Sequence, residues 1–307
     1  MHLFPGVTID IAAAVTEPVK LPVLDKHDLE LSVLRLDRIH PVISGNKWFK
    51  LNYYLQQAQQ DKATGLLSFG GAYSNHIIAV ACAAAALGLQ SAGIIRGEQP
   101  ARLSHTLQEA MQYGMQLDFT SRDSYHTKTA DEFTSRLSEK YPGYYHIPEG
   151  GSGSKGVQGS MEILNLVNKH SFSHICCAVG TATMWLGLAA SALPGQEVMG
   201  IPVLKGNDDW QVLAAGFIPP GRIPFSHIIP GYHFGGYARK NAALLTFMNQ
   251  FYAHTSIPTD FVYTGKLLFA VLDLVKKGYF AKGSRLLVIH SGGLQGNRSL
   301  PAGTLDF

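Results

Sequence analysis

Short apolar runs alternate with longer stretches of helical period along most of this chain of 307 residues. Residues 31–36 (LSVLRL), 65–68, 92–95, 117–120, 144–147, 174–179 (HICCAV), 197–203 and 285–290 have the length and composition of strands. Between them, 48–60 (WFKLNYYLQQAQQ) gathers Phe49, Leu51, Tyr53, Leu55 and Ala58 on most of one side and predicts an amphipathic helix. Helices are also expected over 75–87, rich in small residues, and over 103–113, 129–140, 156–169, 181–193, 242–255 and 265–277. Residues 205–230 show no clear period and read as loop.

Strand–helix alternation of this kind argues for an α/β fold with parallel sheets covered on both faces. Ligands in such folds bind beyond the carboxyl ends of the strands, where the glycine-rich turns of this sequence fall. Two lobes are expected, with the chain crossing near Gly45 and again in the Gly/Ser-rich stretch 150–159. That divides the chain into a large domain of 1–46 and 155–307 and a small domain of 47–154.

Composition narrows the partners. The formal charge is +3 and no run of five or six basic residues occurs, which argues against nucleic acid or an anionic membrane surface. No apolar stretch reaches the roughly 18 residues needed to span a bilayer. The N-terminus lacks the charged region of a secretory signal. Three cysteines, Cys82, Cys176 and Cys177, are odd in number, two of them adjacent in an apolar run, so neither a disulfide framework nor a metal site is expected. A cytoplasmic setting fits.

Four segments carry candidate chemistry. Ser44-Gly45-Asn46-Lys47 leads into a helix, whose positive end disfavours an ammonium and so favours a nucleophilic amine at Lys47. A solvated surface lysine after a turn is the plainer alternative. Ser68-Phe69-Gly70-Gly71-Ala72-Tyr73-Ser74-Asn75-His76 lies between a strand and a helix. Its amides suit a carboxylate or phosphate, although Ser74 and Asn75 would also serve as ordinary helix caps and His76 as a structural histidine. Val179-Gly180-Thr181-Ala182-Thr183 follows HICCAV. It can cradle a phosphate with amides and two hydroxyls, or simply form a tight turn; it is neither a Walker loop nor a dinucleotide fingerprint. Tyr263-Thr264-Gly265-Lys266 and His290-Ser291-Gly292-Gly293 place hydroxyls beside glycine at element boundaries.

Taken in order, SGNKWFKL, GGAYSNH, PEGGS, the small-residue loop, TDFVYTGK and IHSGG resemble the 1-aminocyclopropane-1-carboxylate deaminase / D-cysteine desulfhydrase family. These are pyridoxal 5′-phosphate (PLP) enzymes of the tryptophan-synthase-β-like fold (fold type II), two-lobed and three-layered. The resemblance spans residues 35–293 and implies roles by position. Lys47 matches the Schiff-base lysine and Lys50 a second lysine one turn on. Asn75 matches the partner of the cofactor's ring hydroxyl, and Ser74 a nucleophile or proton carrier near the substrate carboxylate, with His76 beside it. Residues Val179, Gly180, Thr181, Ala182 and Thr183 match the phosphate cup, and Tyr263 an active-site tyrosine. Arg35 and Asp37 match two positions of a Lys-Arg-x-Asp stretch. A homodimer is implied as well.

The departures bear on the reaction. The deaminases carry Glu after the active-site tyrosine and Leu at the position of Ser291; this chain has Thr264 and Ser291, as desulfhydrases have hydroxyls at both places. A second deaminase tyrosine falls on Phe234, with Tyr232 or Tyr237 as stand-ins. A carboxylate beside the pyridine nitrogen keeps it protonated and strengthens the electron sink, whereas a hydroxyl leaves it largely neutral. Ring opening needs the stronger sink; expelling a thiol does not. The expectation is therefore a PLP-dependent lyase that eliminates the β-substituent of D-cysteine or a similar small amino acid, giving pyruvate and ammonia, with Ser291 or Thr264 meeting the ring nitrogen. Deamination of 1-aminocyclopropane-1-carboxylate and a PLP-binding protein without turnover are the alternatives. A hydrolase built on Ser74 would lack the G-x-S-x-G elbow.

Overall fold

The computed structural model describes residues 2–4, 7–206 and 210–307. Strands β1 (His2–Phe4) and β2 (Val7–Ile9) form a small antiparallel hairpin. Next come β3 (Thr16–Val19), α1 (Pro22–Lys26), β4 (Glu30–Arg35) and α2 (Asn46–Gln60). The middle of the chain runs β5 (Gly65–Gly70), α3 (Asn75–Ala86), β6 (Gln90–Arg96), α4 (His105–Gln112), β7 (Met115–Thr120), α5 (Arg122–His126), α6 (Asp131–Lys140) and β8 (Tyr144–Ile147). It returns through α7 (Ser154–Met161), β9 (His174–Val179), α8 (Thr183–Ser191), β10 (Glu197–Pro202), α9 (Trp210–Phe217), β11 (Ser226–Ile228), α10 (Ala242–Thr255), α11 (Thr264–Lys276) and β12 (Arg285–His290).

Two sheets organise these elements. One has six strands in the order β11-β10-β9-β12-β4-β3, parallel except for the edge pair β3–β4. The other has four parallel strands in the order β7-β6-β5-β8 and uses only residues of the middle segment. The β5 sequence GLLSFG is buried at every position, as a strand covered on both faces must be. The fold is α/β, as the alternation predicts.

Apolar layers hold the sheets to their helices. Leu34, Trp48, Leu66, Ile77, Ile175 and Ile289 belong to one continuous core that runs between the two sheets. On the far face of the larger sheet, Leu267, Leu268, Val271 and Val275 of α11 pack against Val33, Met199 and Val288. Each fully buried side chain of this size stabilises the fold by about 1.5–3 kcal/mol. Helix α7 packs on both α2 and α8. Its contact with α2 depends on Gly159, because a Cβ there would sit 1.8 Å from the carbonyl oxygen of Phe49.

Two expectations need correction. Residues 205–230 are not loop throughout: α9, a 3₁₀ segment over Pro220–Phe225 and β11 lie within them, while 207–209 fall outside the described residues. The run WQVLAAGF is apolar nearly throughout, and such a run has no amphipathic period to detect. The helix expected over 156–169 ends at Met161 and tightens into 3₁₀ turns over Glu162–Leu166. All three cysteines are free and buried, and among the described residues no cluster of possible metal ligands occurs.

Candidate active site

The carboxyl ends of β5, β6, β9 and β12 open onto one cavity of about 490 Å³, also walled by the start of α2. Lys47, Lys50, Ser74, Asn75, His76, Gly180, Thr181, Ala182, Tyr263 and Ser291 all line it. Lys47 and Ser291, 244 positions apart in sequence, thus share a wall.

Lys47 is the second residue of α2, and its Nζ donates to Asn46 Oδ1 at 2.7 Å. Burial lowers its pKa to about 8, against the charge of Asp260, which pulls the other way. The depression anticipated from the helix end is thus accounted for by desolvation. Lys50 lies one turn on, 6% exposed, with Nζ 3.4 Å from Thr181 Oγ1. Burial, and then the charge of Lys47, hold it well below an ordinary lysine.

The loop after β9 opens toward both lysines. Ala182 takes φ of +59° immediately before α8, a left-handed conformation that a non-glycine residue rarely adopts. Thr181 Oγ1 and Thr183 Oγ1 share a hydrogen bond of 2.9 Å. Of the five residues expected to form the cup, Gly180, Thr181 and Ala182 line the cavity. Val179 belongs to the core, and Thr183 supports Thr181 from behind.

Ser74 caps α3, accepting from the Ile77 amide at 3.3 Å. Asn75 Oδ1 is buried without a hydrogen-bond partner among the described residues. Ser68 Oγ lies 2.8 Å from both Ile147 O and His76 Nε2. The carbonyl can only accept, so the hydroxyl proton goes there and His76 Nε2 donates to Ser68. His76 Nδ1 is then a bare acceptor, buried and unpartnered. Burial first, then the charges of Lys47 and Lys50, push the ring down to about 3; the nearby Pro148 carbonyl opposes this but makes no hydrogen bond of ordinary geometry. His76 is therefore neutral at any physiological pH. Tyr263 is driven the opposite way, well above an ordinary phenol, by burial and by Tyr237 and Asp260. It keeps its proton.

Thr264 does not line the cavity, contrary to the role expected of it. Its hydroxyl donates to Asp260 Oδ1 at 2.7 Å and accepts from the Asp260 amide at 2.8 Å. Ser291 alone of that pair reaches the cavity. Among the three aromatic positions considered for a second tyrosine, Tyr237 lines the cavity, its ring 6.3 Å from that of Tyr263. Tyr232 instead donates to Asp273 at 2.7 Å, and Phe234 packs on Phe269. Arg35 and Asp37 do not line the cavity. Arg35 grips Asp37 with two hydrogen bonds of 2.8 and 2.7 Å, and Asp37 Oδ1 lies 3.2 Å from His290 Nδ1.

Several residues take roles that the sequence reading did not assign to them. Asp260 is fully buried and accepts from the amides of Val262, Tyr263 and Thr264. An aspartate a few positions ahead of a helix start is the signal that could have found it. Lys266 Nζ donates to the carbonyls of His233 at 2.9 Å and Gly236 at 2.8 Å, fixing the loop that leads into Tyr237. Arg96, Arg122 and Glu149 also line the cavity; Glu149 lies in the PEGGS stretch without an assigned role, and nothing in the local sequence of the two arginines marks them.

A family model described as "Pyridoxal-phosphate dependent enzyme" matches residues 9–292. The chain belongs to that family, and PLP is its cofactor. It is 29% identical to a putative 1-aminocyclopropane-1-carboxylate deaminase of Pyrococcus furiosus over 83% of this chain and 82% of that protein. It is 25% identical to a D-cysteine desulfhydrase of Klebsiella pneumoniae over 93% of both. The structure of an ACC deaminase homologue superposes with a TM-score of 0.80 at 24% identity, covering 96% of this chain and 93% of that one, which gives the fold.

The cavity suits the cofactor on this chain's own features. It offers a lysine amine of lowered basicity, a helix start with a neighbouring lysine for a phosphate dianion, and an unpartnered buried amide oxygen at Asn75.

Proposed function

We propose that this enzyme is a PLP-dependent lyase that eliminates the β-substituent of D-cysteine or a similar small β-substituted amino acid, releasing pyruvate and ammonia. The carrying observation is the polar lining near β12. Ser291 contributes a hydroxyl there, and Glu149, at 3.2 Å from Lys128, is the only carboxylate among the described lining residues. A ring nitrogen that meets a hydroxyl stays largely neutral, which suits loss of a good leaving group better than opening of a cyclopropane.

In this reading Lys47 would hold the cofactor's aldehyde carbon, Gly180–Ala182 with Lys50 its phosphate, Asn75 its ring hydroxyl and Ser291 its ring nitrogen. When bound, PLP supplies an electron sink that acidifies the substrate's α-carbon. The amides at the start of α3, with Ser74, orient the substrate carboxylate. Lys47 would take the α-proton; its lowered basicity leaves a useful share of free amine near neutral pH. Tyr263, which keeps its proton, would donate to the departing group, and Ser74 would relay. Neutral His76 cannot act as an imidazolium acid and serves as an acceptor.

Relatives named for both activities keep deamination of 1-aminocyclopropane-1-carboxylate as a second reading. Pyruvate assays with D-cysteine, L-cysteine and β-chloroalanine, alongside that compound and its 2-oxobutyrate product, separate the two. Turnover of the cyclopropane alone overturns the β-elimination reading. Borohydride reduction of the holoenzyme followed by peptide mapping must place the label on Lys47. The reading extends to a homodimer in the cytoplasm, tested by light scattering and by fractionation. It also takes the four-stranded and six-stranded sheets as the cores of a small lobe, 47–154, and a large lobe, 1–46 with 155–307, flanking the cavity.

A further inference from the structure

The cavity's lining carries more positive charge than the proposed reaction uses. Lys47 and Lys50 are assigned to the cofactor's aldehyde and phosphate, and the α3 start to the substrate's own carboxylate. Arg96 and Arg122 remain. Both line the cavity, both are exposed at its edge, and among the described residues neither makes an ion pair. The opposing carboxylate, Glu149, is already engaged by Lys128.

Their placement is defined by the fold. Arg96 ends β6, beside β5, and its Nη2 lies within 3.8 Å of where a Gly71 side chain would begin. That is the loop leading to Ser74. The guanidinium carbon stands 5.8 Å from the centroid of the buried Tyr125 ring, a cation–π contact. Its charge is felt at Tyr237, across the cavity. Arg122 opens α5, three residues before Tyr125. Two guanidinium groups lining one cavity, neither within ion-pair distance of a carboxylate among the described residues, can serve together as a receptor for a planar or tetrahedral oxyanion.

Resting on the β-elimination reading above, we infer that the substrate carries a second anionic group, a carboxylate or sulfonate at the far end of its β-substituent, held by Arg96 and Arg122. Among the β-substituted amino acids of that reading, the preferred substrates are thus those with an anionic β-substituent rather than D-cysteine itself. The anionic fragment leaves with the β-substituent, taking the electron pair of the Cβ–heteroatom bond and a proton supplied at the cavity, and the remaining three-carbon skeleton takes up water to give pyruvate and ammonia.

The test compares S-carboxymethylcysteine with S-carbamidomethylcysteine, nearly equal in shape and differing by one charge, as both enantiomers. The expected result is a kcat/KM at least about tenfold higher for the acid, as a charge-assisted hydrogen bond to guanidinium warrants. That ratio should fall with added salt and collapse to within about twofold in R96Q/R122Q, with R96K retaining part of it. Borohydride labelling of Lys47 in each variant checks that the site still assembles. No preference in the wild type, or a preference that survives the double substitution, overturns the inference. If pyruvate nevertheless forms from β-chloroalanine, the proposed reaction stands without it; if pyruvate forms from none of these compounds, both fall.

Discussion

The Thr264 hydroxyl donates to Asp260 Oδ1 at 2.7 Å while accepting the Asp260 amide at 2.8 Å, so the two residues close a ring of hydrogen bonds at the start of α11. With three amides also donating, the Asp260 carboxylate is saturated and fully buried. Its charge nevertheless reaches Lys47, Lys266 and Tyr263. Thr264 thus acts on the cavity through a carboxylate it holds in place.

Thr264→Val removes both hydrogen bonds and leaves the Asp260 amide buried and unsatisfied. A loss of about 2–3 kcal/mol is expected in urea unfolding, whereas Thr264→Ser keeps both bonds and should stay within about 1 kcal/mol of the parent. Equal stability of the valine and serine variants would remove this role from Thr264.

Acid should unlock the Arg35–Asp37–His290 cluster. Burial raises the Asp37 carboxyl, but the Arg35 hydrogen bonds, the His290 ring and the Arg35 charge outweigh it and hold the group below its ordinary value. A carboxyl lowered in the folded state stabilises the fold above its unfolded pKa and loses that contribution as pH falls through the folded value. The wild type should therefore lose stability steeply below about pH 4. Asp37→Asn should cost about 3 kcal/mol at neutral pH and show a shallower acid limb. Urea midpoints measured from pH 7 to pH 3 decide it; parallel limbs would count against Asp37 as the titrating group.

How much of this was legible beforehand follows from the range of the interactions. The strands and most helices repeat a local period, so β5, β9 and β12 were readable from a few residues each, and the glycine-flanked turns pointed to Lys47, Asn75 and Thr181. Asp260 and Thr264 were read wrongly or not at all because a hydroxyl's partner depends on where a neighbouring loop folds back. Arg96 and Arg122 had no local signature, since their significance lies in what does not pair with them. α9 escaped because an apolar run has no face to give it a period.

Gly45 tests whether the start of α2 must touch the β12 loop. It holds φ at +65°, and a Cβ there would lie 1.9 Å from Ser291 O. Gly45→Ala therefore has to push the Ser291 backbone away or abandon the conformation, at a cost of about 3 kcal/mol or more. The same displacement would shift Lys47 against Ser291, so the variant should both unfold at lower denaturant and bind PLP weakly. A variant with parental stability and cofactor affinity would show that this contact is dispensable.

Lys266 carries a related prediction for substrate binding. Its two hydrogen bonds to His233 O and Gly236 O set the loop that precedes Tyr237. Lys266→Met leaves both carbonyls without that donor and should raise KM more than it lowers kcat, because Tyr237 lines the cavity without an assigned proton transfer. A loss confined to kcat would place Lys266 closer to the chemistry than its contacts do.

The basicity of Lys47 yields the most direct test of the electrostatics. With its pKa near 8, the free-amine fraction in apoprotein is small at pH 6.5 and dominant by pH 9. The rate at which apoprotein captures PLP, followed by absorbance, should rise over that interval and level off above it. Asp260 favours the ammonium form, so Asp260→Asn should move the midpoint to lower pH and increase the capture rate at pH 7, even though the fold is weakened. A midpoint that stays in place would mean that the Asp260 charge is screened from Lys47, and a midpoint near that of free lysine, about 10.4, would mean that burial does not depress the amine at all.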